Sequence, residues 1–85
     1  MARIITTKGK VIEVTPKNGT DFSLEELQYI VGGLIEIVST GAGLMVLNEY
    51  GKLLGLDINL RATEIYGRRD IIVGDVLVCS SDEIK

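Results

Sequence analysis

Ser23-Leu24-Glu25-Glu26-Leu27-Gln28-Tyr29-Ile30-Val31-Gly32-Gly33-Leu34-Ile35-Glu36-Ile37-Val38 is the stretch on which the fold turns. Ser23 with Glu26 three residues later is a capping box: the hydroxyl takes the Glu26 amide while the carboxylate reaches back. Leu24, Leu27, Ile30 and Val31 then fall on one helical face, with Phe22 as a staple before the cap. Gly32-Gly33 stops the helix, the first glycine as a left-handed cap. Directly afterwards the period changes, because Leu34 to Ser39 is β-branched and apolar. A helix that passes at once into a strand, which returns as Leu44 to Asn48 across Thr40-Gly41-Ala42-Gly43, predicts an α+β fold built on antiparallel hairpins.

The flanks extend that pattern. Arg3 to Thr7 and Val11 to Thr15 read as strands around a Lys8-Gly9-Lys10 turn, closed by Pro16, which cannot donate to a ladder. Lys17 to Asp21 is loop chemistry. After the second hairpin, Glu49-Tyr50-Gly51-Lys52 is a turn, and Leu53 to Asp57 takes no assigned state. Asn59 to Tyr66 is a candidate second short helix with Asn59 as cap and Gly67 as stop. Ile71 to Cys79 is the most apolar segment and reads as a central strand; Ser80 to Lys85 reads as a frayed tail. The expectation is one α+β domain over 1–85: a small, mostly antiparallel sheet with one well-defined helix and the candidate second one.

Both parities of Leu34–Val38 and Ile71–Val78 are mostly apolar, whereas a strand solvated on one face alternates. One short helix covers one face. The other face needs the 59–66 helix, a curled sheet or a second copy, and the pattern therefore presses towards a homo-oligomer.

Composition removes several function classes. Among 85 residues there is no His and one Cys, which excludes His-assisted nucleophiles, His metal ligands and an internal disulfide. Net charge is −3, from nine Lys and Arg against twelve Asp and Glu, so a long nucleic acid meets the wrong field. No apolar run approaches a membrane span and the start has no long apolar core, so the chain is expected to be cytoplasmic, without a membrane partner. The glycine pairs offer no phosphate cradle: Gly32-Gly33 follows a helix instead of opening one, and Gly41-Ala42-Gly43 joins two strands. Glu25 and Glu26 suit the first helical turn. Cys79 ends an apolar strand with no basic run beside it and reads as packing. No catalytic residue, metal ligand or cofactor site is nominated, and the expectation is a protein that is not an enzyme.

Asn48 to Arg69 differs in kind. Four of the nine basic residues (Lys52, Arg61, Arg68, Arg69) fall there with two of the three tyrosines (Tyr50, Tyr66) and with Asn48 and Asn59. Asn reads base edges, Tyr stacks on flat rings and Arg binds phosphate in a bidentate fork. The stretch reads as either a solvated loop or a nucleotide-sized site. In the second case Asn48, Tyr50, Lys52, Asn59, Arg61, Tyr66, Arg68 and Arg69 bind the ligand. The asparagines have a local alternative, Asn48 as a turn former and Asn59 as an N-cap.

The succession Val31-Gly32-Gly33-Leu34-Ile35-Glu36, then Asn48-Glu49-Tyr50-Gly51-Lys52-Leu53-Leu54-Gly55-Leu56, then Asn59 and Ala62-Thr63, then Ile72-Val73-Gly74-Asp75-Val76-Leu77-Val78 resembles domain-of-unknown-function family 3846, continuously from about Phe22 to Cys79. The resemblance implies a compact α+β domain and an origin in phages, plasmids or other mobile elements. By analogy of lifestyle, it suggests an anti-defence phage protein that sequesters a signalling nucleotide. The leading expectation is thus a non-enzymatic homo-oligomer holding a small anionic ligand, a nucleotide by its residue types. The alternative is a protein-interaction module that inhibits or accompanies a host or phage protein.

Overall fold

Turn chemistry sets the strand ends. The computed structural model describes residues 2–84. Strands β1 (Ala2–Ile5) and β2 (Val11–Val14) pair antiparallel from Ala2↔Val14 to Ile5↔Val11. The connecting turn is closed by bonds from the Thr6 amide to the Lys10 carbonyl and from the Gly9 amide to the Thr6 carbonyl. β3 (Ile35–Thr40) and β4 (Gly43–Asn48) form the second hairpin, where Thr40 pairs with Gly43, so the loop holds two residues where four were expected. β5 (Val76–Cys79) completes a five-stranded antiparallel sheet in the order β2-β1-β5-β4-β3.

Helix α1 (Leu24–Val31) forms as its sequence demands. Ser23 Oγ accepts from the Glu26 amide at 3.2 Å, Glu26 Oε1 accepts from the Ser23 amide at 2.9 Å, and Gly32 takes the left-handed cap. Leu27 and Val31 are buried with Phe22, Ala2, Val46, Leu77 and Cys79. Burial of each aliphatic side chain contributes about 1.5–3 kcal/mol. Leu24 departs from the expected face: it sits in the first turn and is more than half exposed.

The sheet's other face carries Ile5, Met45, Val76 and Val78, packed with Ala62 of helix α2 (Leu60–Ile65) and with Ile72. The two apolar parities of the strands are therefore covered from within the chain, α1 on one side and α2 with its flanking loops on the other. The strand pattern alone asks for no second copy.

Two expectations are corrected. The segment from Ile71 is strand only from Val76, because Gly74 adopts φ +78°, outside the extended region, and its amide bonds to the Asp57 carbonyl at 2.8 Å. β5 is nonetheless central. The tail does not fray over 80–84: Ser81–Glu83 is a turn of 3₁₀ helix, the Ser80 amide donates to Glu83 Oε1, and the Phe22 amide bonds to the Glu83 carbonyl at 2.7 Å. Lys85 lies outside the described residues.

The Glu26 carboxylate accepts from the Ser23 and Lys17 amides, and these bonds hold its pKa below the ordinary 4.5. A depressed folded-state pKa contributes stability above the unfolded value, and that contribution is lost as pH falls through the folded one. Glu26→Gln is expected to flatten the fall in melting temperature on acidification below pH 4.5, read by circular dichroism. An unchanged slope would assign acid sensitivity elsewhere.

Candidate functional site

The 49–75 segment folds across the α2 face in consecutive tight turns. Asn48, at the end of β4, starts them: its Nδ2 donates to the Val31 carbonyl at 3.1 Å and its Oδ1 accepts from the Tyr50 amide at 2.9 Å. Asn59 anchors their far end and is completely buried. Its Oδ1 caps α2 through the Ala62 amide at 3.0 Å, while Nδ2 donates to the Ile5 and Gly74 carbonyls, both at 2.9 Å. Thr63 reinforces the clamp, donating to the Asn59 carbonyl and accepting from the Ile72 amide. Both donor hydrogens of Asn59 are committed to the fold, and no solvent path reaches it. Asn59 is a scaffold residue that leaves a ligand nothing to bind.

Between these anchors lies a cleft of about 150 Å³. Its lining includes the side chains of Val38 on β3, Leu47 on β4, and Tyr50, Lys52, Leu53, Tyr66 and Ile71 from the turns and the end of α2. Of the sequence-nominated residues, the cleft therefore brings together Asn48, Tyr50, Lys52 and Tyr66. It leaves out Arg61 and Arg68. Arg61 lies on the exposed side of α2, lining a separate groove with Arg3, Ala42, Glu64 and Ile65. Arg68, at φ +59°, forms an ion pair with Glu64 one helical turn back. The pair is an i, i+4 contact with both side chains exposed, so solvent screening leaves it little stabilising effect. Arg69 reaches the cleft only through Tyr66: its guanidinium carbon lies 4.3 Å from the ring centroid, Nε donates to the Tyr66 carbonyl, and Nη2 donates to the Ser39 carbonyl on β3.

The carboxylates are what the sequence reading missed. Glu36, Glu49 and Asp70 also line the cleft. Lys52 Nζ holds Asp70 at 2.7 Å, and that bond, with the Ile71 amide, keeps the Asp70 carboxyl below its usual range. Glu36 and Glu49 have no ion-pair partner among the described residues. One signal pointed to Glu36: it is the lone polar residue in Leu34–Val38. Around the cleft the surface is apolar. Leu53 is 85% exposed and Leu60 74%, with Ile71 and Tyr50 about half exposed. Ile71 and Asp70 line both the cleft and an adjoining open groove of about 640 Å³, where Leu60 and Thr63 continue the surface.

Cys79 has the packing role assigned to it: it is buried in the α1-side core, and desolvation pushes its thiol pKa up to about 11. No helix among the described residues is long and apolar enough to cross a membrane.

A five-stranded antiparallel sheet between two short helices, with an aromatic and acidic cleft on the α2 face, defines a small α+β domain. The chain belongs to the family of the domain of unknown function DUF3846, whose model matches residues 1–85, beyond the 22–79 stretch that carried the resemblance. No curated protein and no solved structure matches the chain.

Proposed function

We propose that this protein acts by binding, as an interaction module that docks on another protein through its α2 face. One observation carries the reading: Tyr50, Leu53, Leu60 and Ile71 are large, exposed and joined around a single cleft and groove. Isolated exposed apolar residues need no explanation, but a contiguous group around a concavity is what partner surfaces present. Leu53→Asp with Leu60→Asp leaves the fold intact, because neither side chain is in the core. The test compares the proteins retained by the wild-type chain and by this double variant at equal melting temperature. The expected result is a stoichiometric partner held by the first and lost from the second; identical recoveries would remove the α2 face from the proposal.

A second reading is sequestration of a signalling nucleotide by a mobile-element protein. The convergence of Tyr50, Tyr66 and Lys52 on one cleft favours it. Charge weighs against it. Lys52 is already paired with Asp70, Glu36 and Glu49 would face the phosphates, Arg61 lines a separate groove, and Arg68 is paired with Glu64. Titration calorimetry against cyclic and ADP-ribose-type nucleotides decides it, and Arg61→Ala should abolish binding if phosphate sits on α2. Homo-oligomerisation belongs to the proposal on another surface. β2 and β3 are the free edges of the sheet, and Val11, Ile12 and Ile37 are exposed on them. Native mass spectrometry reads the subunit number, and a monomer alone would remove that part.

A further inference from the structure

The occupant of the cleft can be defined more closely, on the reading that the α2 face is a docking surface. We infer that the cleft receives an arginine side chain presented by the partner between apolar residues. Three features converge on that chemistry. The cleft's volume of about 150 Å³ is that of one ring or one long side chain, well below an ordinary ligand pocket. Its aromatic lining is Tyr50 and Tyr66, and Tyr66 already takes one guanidinium, that of Arg69, over its ring. Its charged lining is Glu36, Glu49 and Asp70 against Lys52, and the only internal pairing, Lys52 with Asp70, leaves Glu36 and Glu49 unneutralised among the described residues.

Two carboxylates beside aromatic rings favour a planar cation, which can stack on Tyr and fork to an oxygen pair at once. Arginine fits better than lysine, whose ammonium is more strongly hydrated and makes no bidentate fork. Arg69 stays at the rim and does not fill this role, because its Nε and Nη2 are held by the Tyr66 and Ser39 carbonyls. A second copy of this chain, docked face to face, would bring the same carboxylates into opposition. The exposed Leu53, Leu60 and Ile71 supply apolar contact for the residues flanking the arginine.

The test uses short acetylated and amidated peptides in which a central residue is flanked by leucines. Arginine, citrulline and glutamate occupy the centre in turn, and amide chemical shifts of the whole chain are followed by NMR. The arginine peptide is expected to move signals at Glu36, Glu49, Tyr50 and Tyr66. Citrulline, which keeps the shape and loses the charge, should bind at least tenfold more weakly, and glutamate more weakly still. The Glu36→Gln/Glu49→Gln double variant should lose the same factor for arginine and none for citrulline. Equal binding of the arginine and citrulline peptides at those signals would overturn the arginine inference and leave the docking face standing. Shifts confined to the adjoining groove of Leu60, Glu64 and Arg68 would overturn the arginine inference and leave the docking face standing, whereas no shifts with any peptide would overturn the inference and the docking face together.

Discussion

Asn59→Ala is expected to lower the melting temperature by about 15–30 °C, which in a chain of this size is close to loss of the fold at ambient temperature. The substitution removes three interactions of one buried side chain. The cap of α2 is worth about 1 kcal/mol. The Ile5 and Gly74 carbonyls each lose a buried donor, and an unsatisfied buried polar group costs about 1–3 kcal/mol. The sum runs from about 3 to 7 kcal/mol; its low end, about 3–4 kcal/mol, sets the temperature shift, against a total stability of about 4–13 kcal/mol for 85 residues. Asn59→Asp separates the contributions. Aspartate caps helices as well as asparagine does, but it presents acceptors to two carbonyl oxygens and is expected to be worse than alanine. Thermal unfolding followed by circular dichroism checks both. An aspartate variant as stable as wild type would mean that the two carbonyl bonds contribute little and that the cap is the whole role.

That buried position explains how far the sequence could be read. α1 was legible because its determinants are local: a capping box spans four residues, and Gly32 ends the helix by its own backbone. The β3–β4 hairpin and the cap of α2 were legible for the same reason. What sequence periodicity could not see was set by distant partners. Asn59 lies 54 residues from Ile5, and an asparagine that ties β1 to the Gly74 turn has the same letter as one that reads a base edge. Ile71 to Asp75 looked like strand by hydropathy, but pairing of Val73 with Ile58 and the turn at Gly74 bind it to the 49–59 loops instead. Phe22 captures the tail through Glu83 and Ile84, a contact no tail composition announces. At the site, the aromatic half was legible because Tyr50, Lys52 and Tyr66 share one polar stretch. The acidic half was not: Glu49 and Asp70 lie in or beside that stretch but carried no weight in a reading built on cations and rings, and Glu36 comes from a strand earlier in the chain that only the sheet brings to Tyr66. That omission reversed the charge of the site, and with it the ligand the geometry favours.

Gly43→Ala is expected to destabilise the protein by about 2–6 kcal/mol, the second large effect. Gly43 opens β4 opposite Thr40, and its backbone has φ +119°, where a side chain is strained by about 1–3 kcal/mol. A Cβ there would also sit 2.6 Å from the Cys79 carbonyl oxygen on β5. Backbone cannot swing aside as a side chain does, so the end of β5 must move, at a packing cost of about 1–3 kcal/mol. Cys79 is in the α1-side core and Ser80 begins the 3₁₀ turn that bonds to Phe22, so the displacement reaches both. Gly41→Ala is the control, two residues away in the same hairpin: a Cβ there meets no atom within 4 Å, and the change should stay within about 0.5 kcal/mol. Urea unfolding compares the two. The Cys79 thiol gives an independent reading, because burial and a pKa pushed up to about 11 make it slow to alkylate in the wild-type protein. Gly43→Ala should speed that labelling at neutral pH while Gly41→Ala does not. Equal labelling rates with equal unfolding midpoints would mean that the β4–β5 end absorbs the methyl group without opening, and that Gly43 is there for its dihedral angle alone.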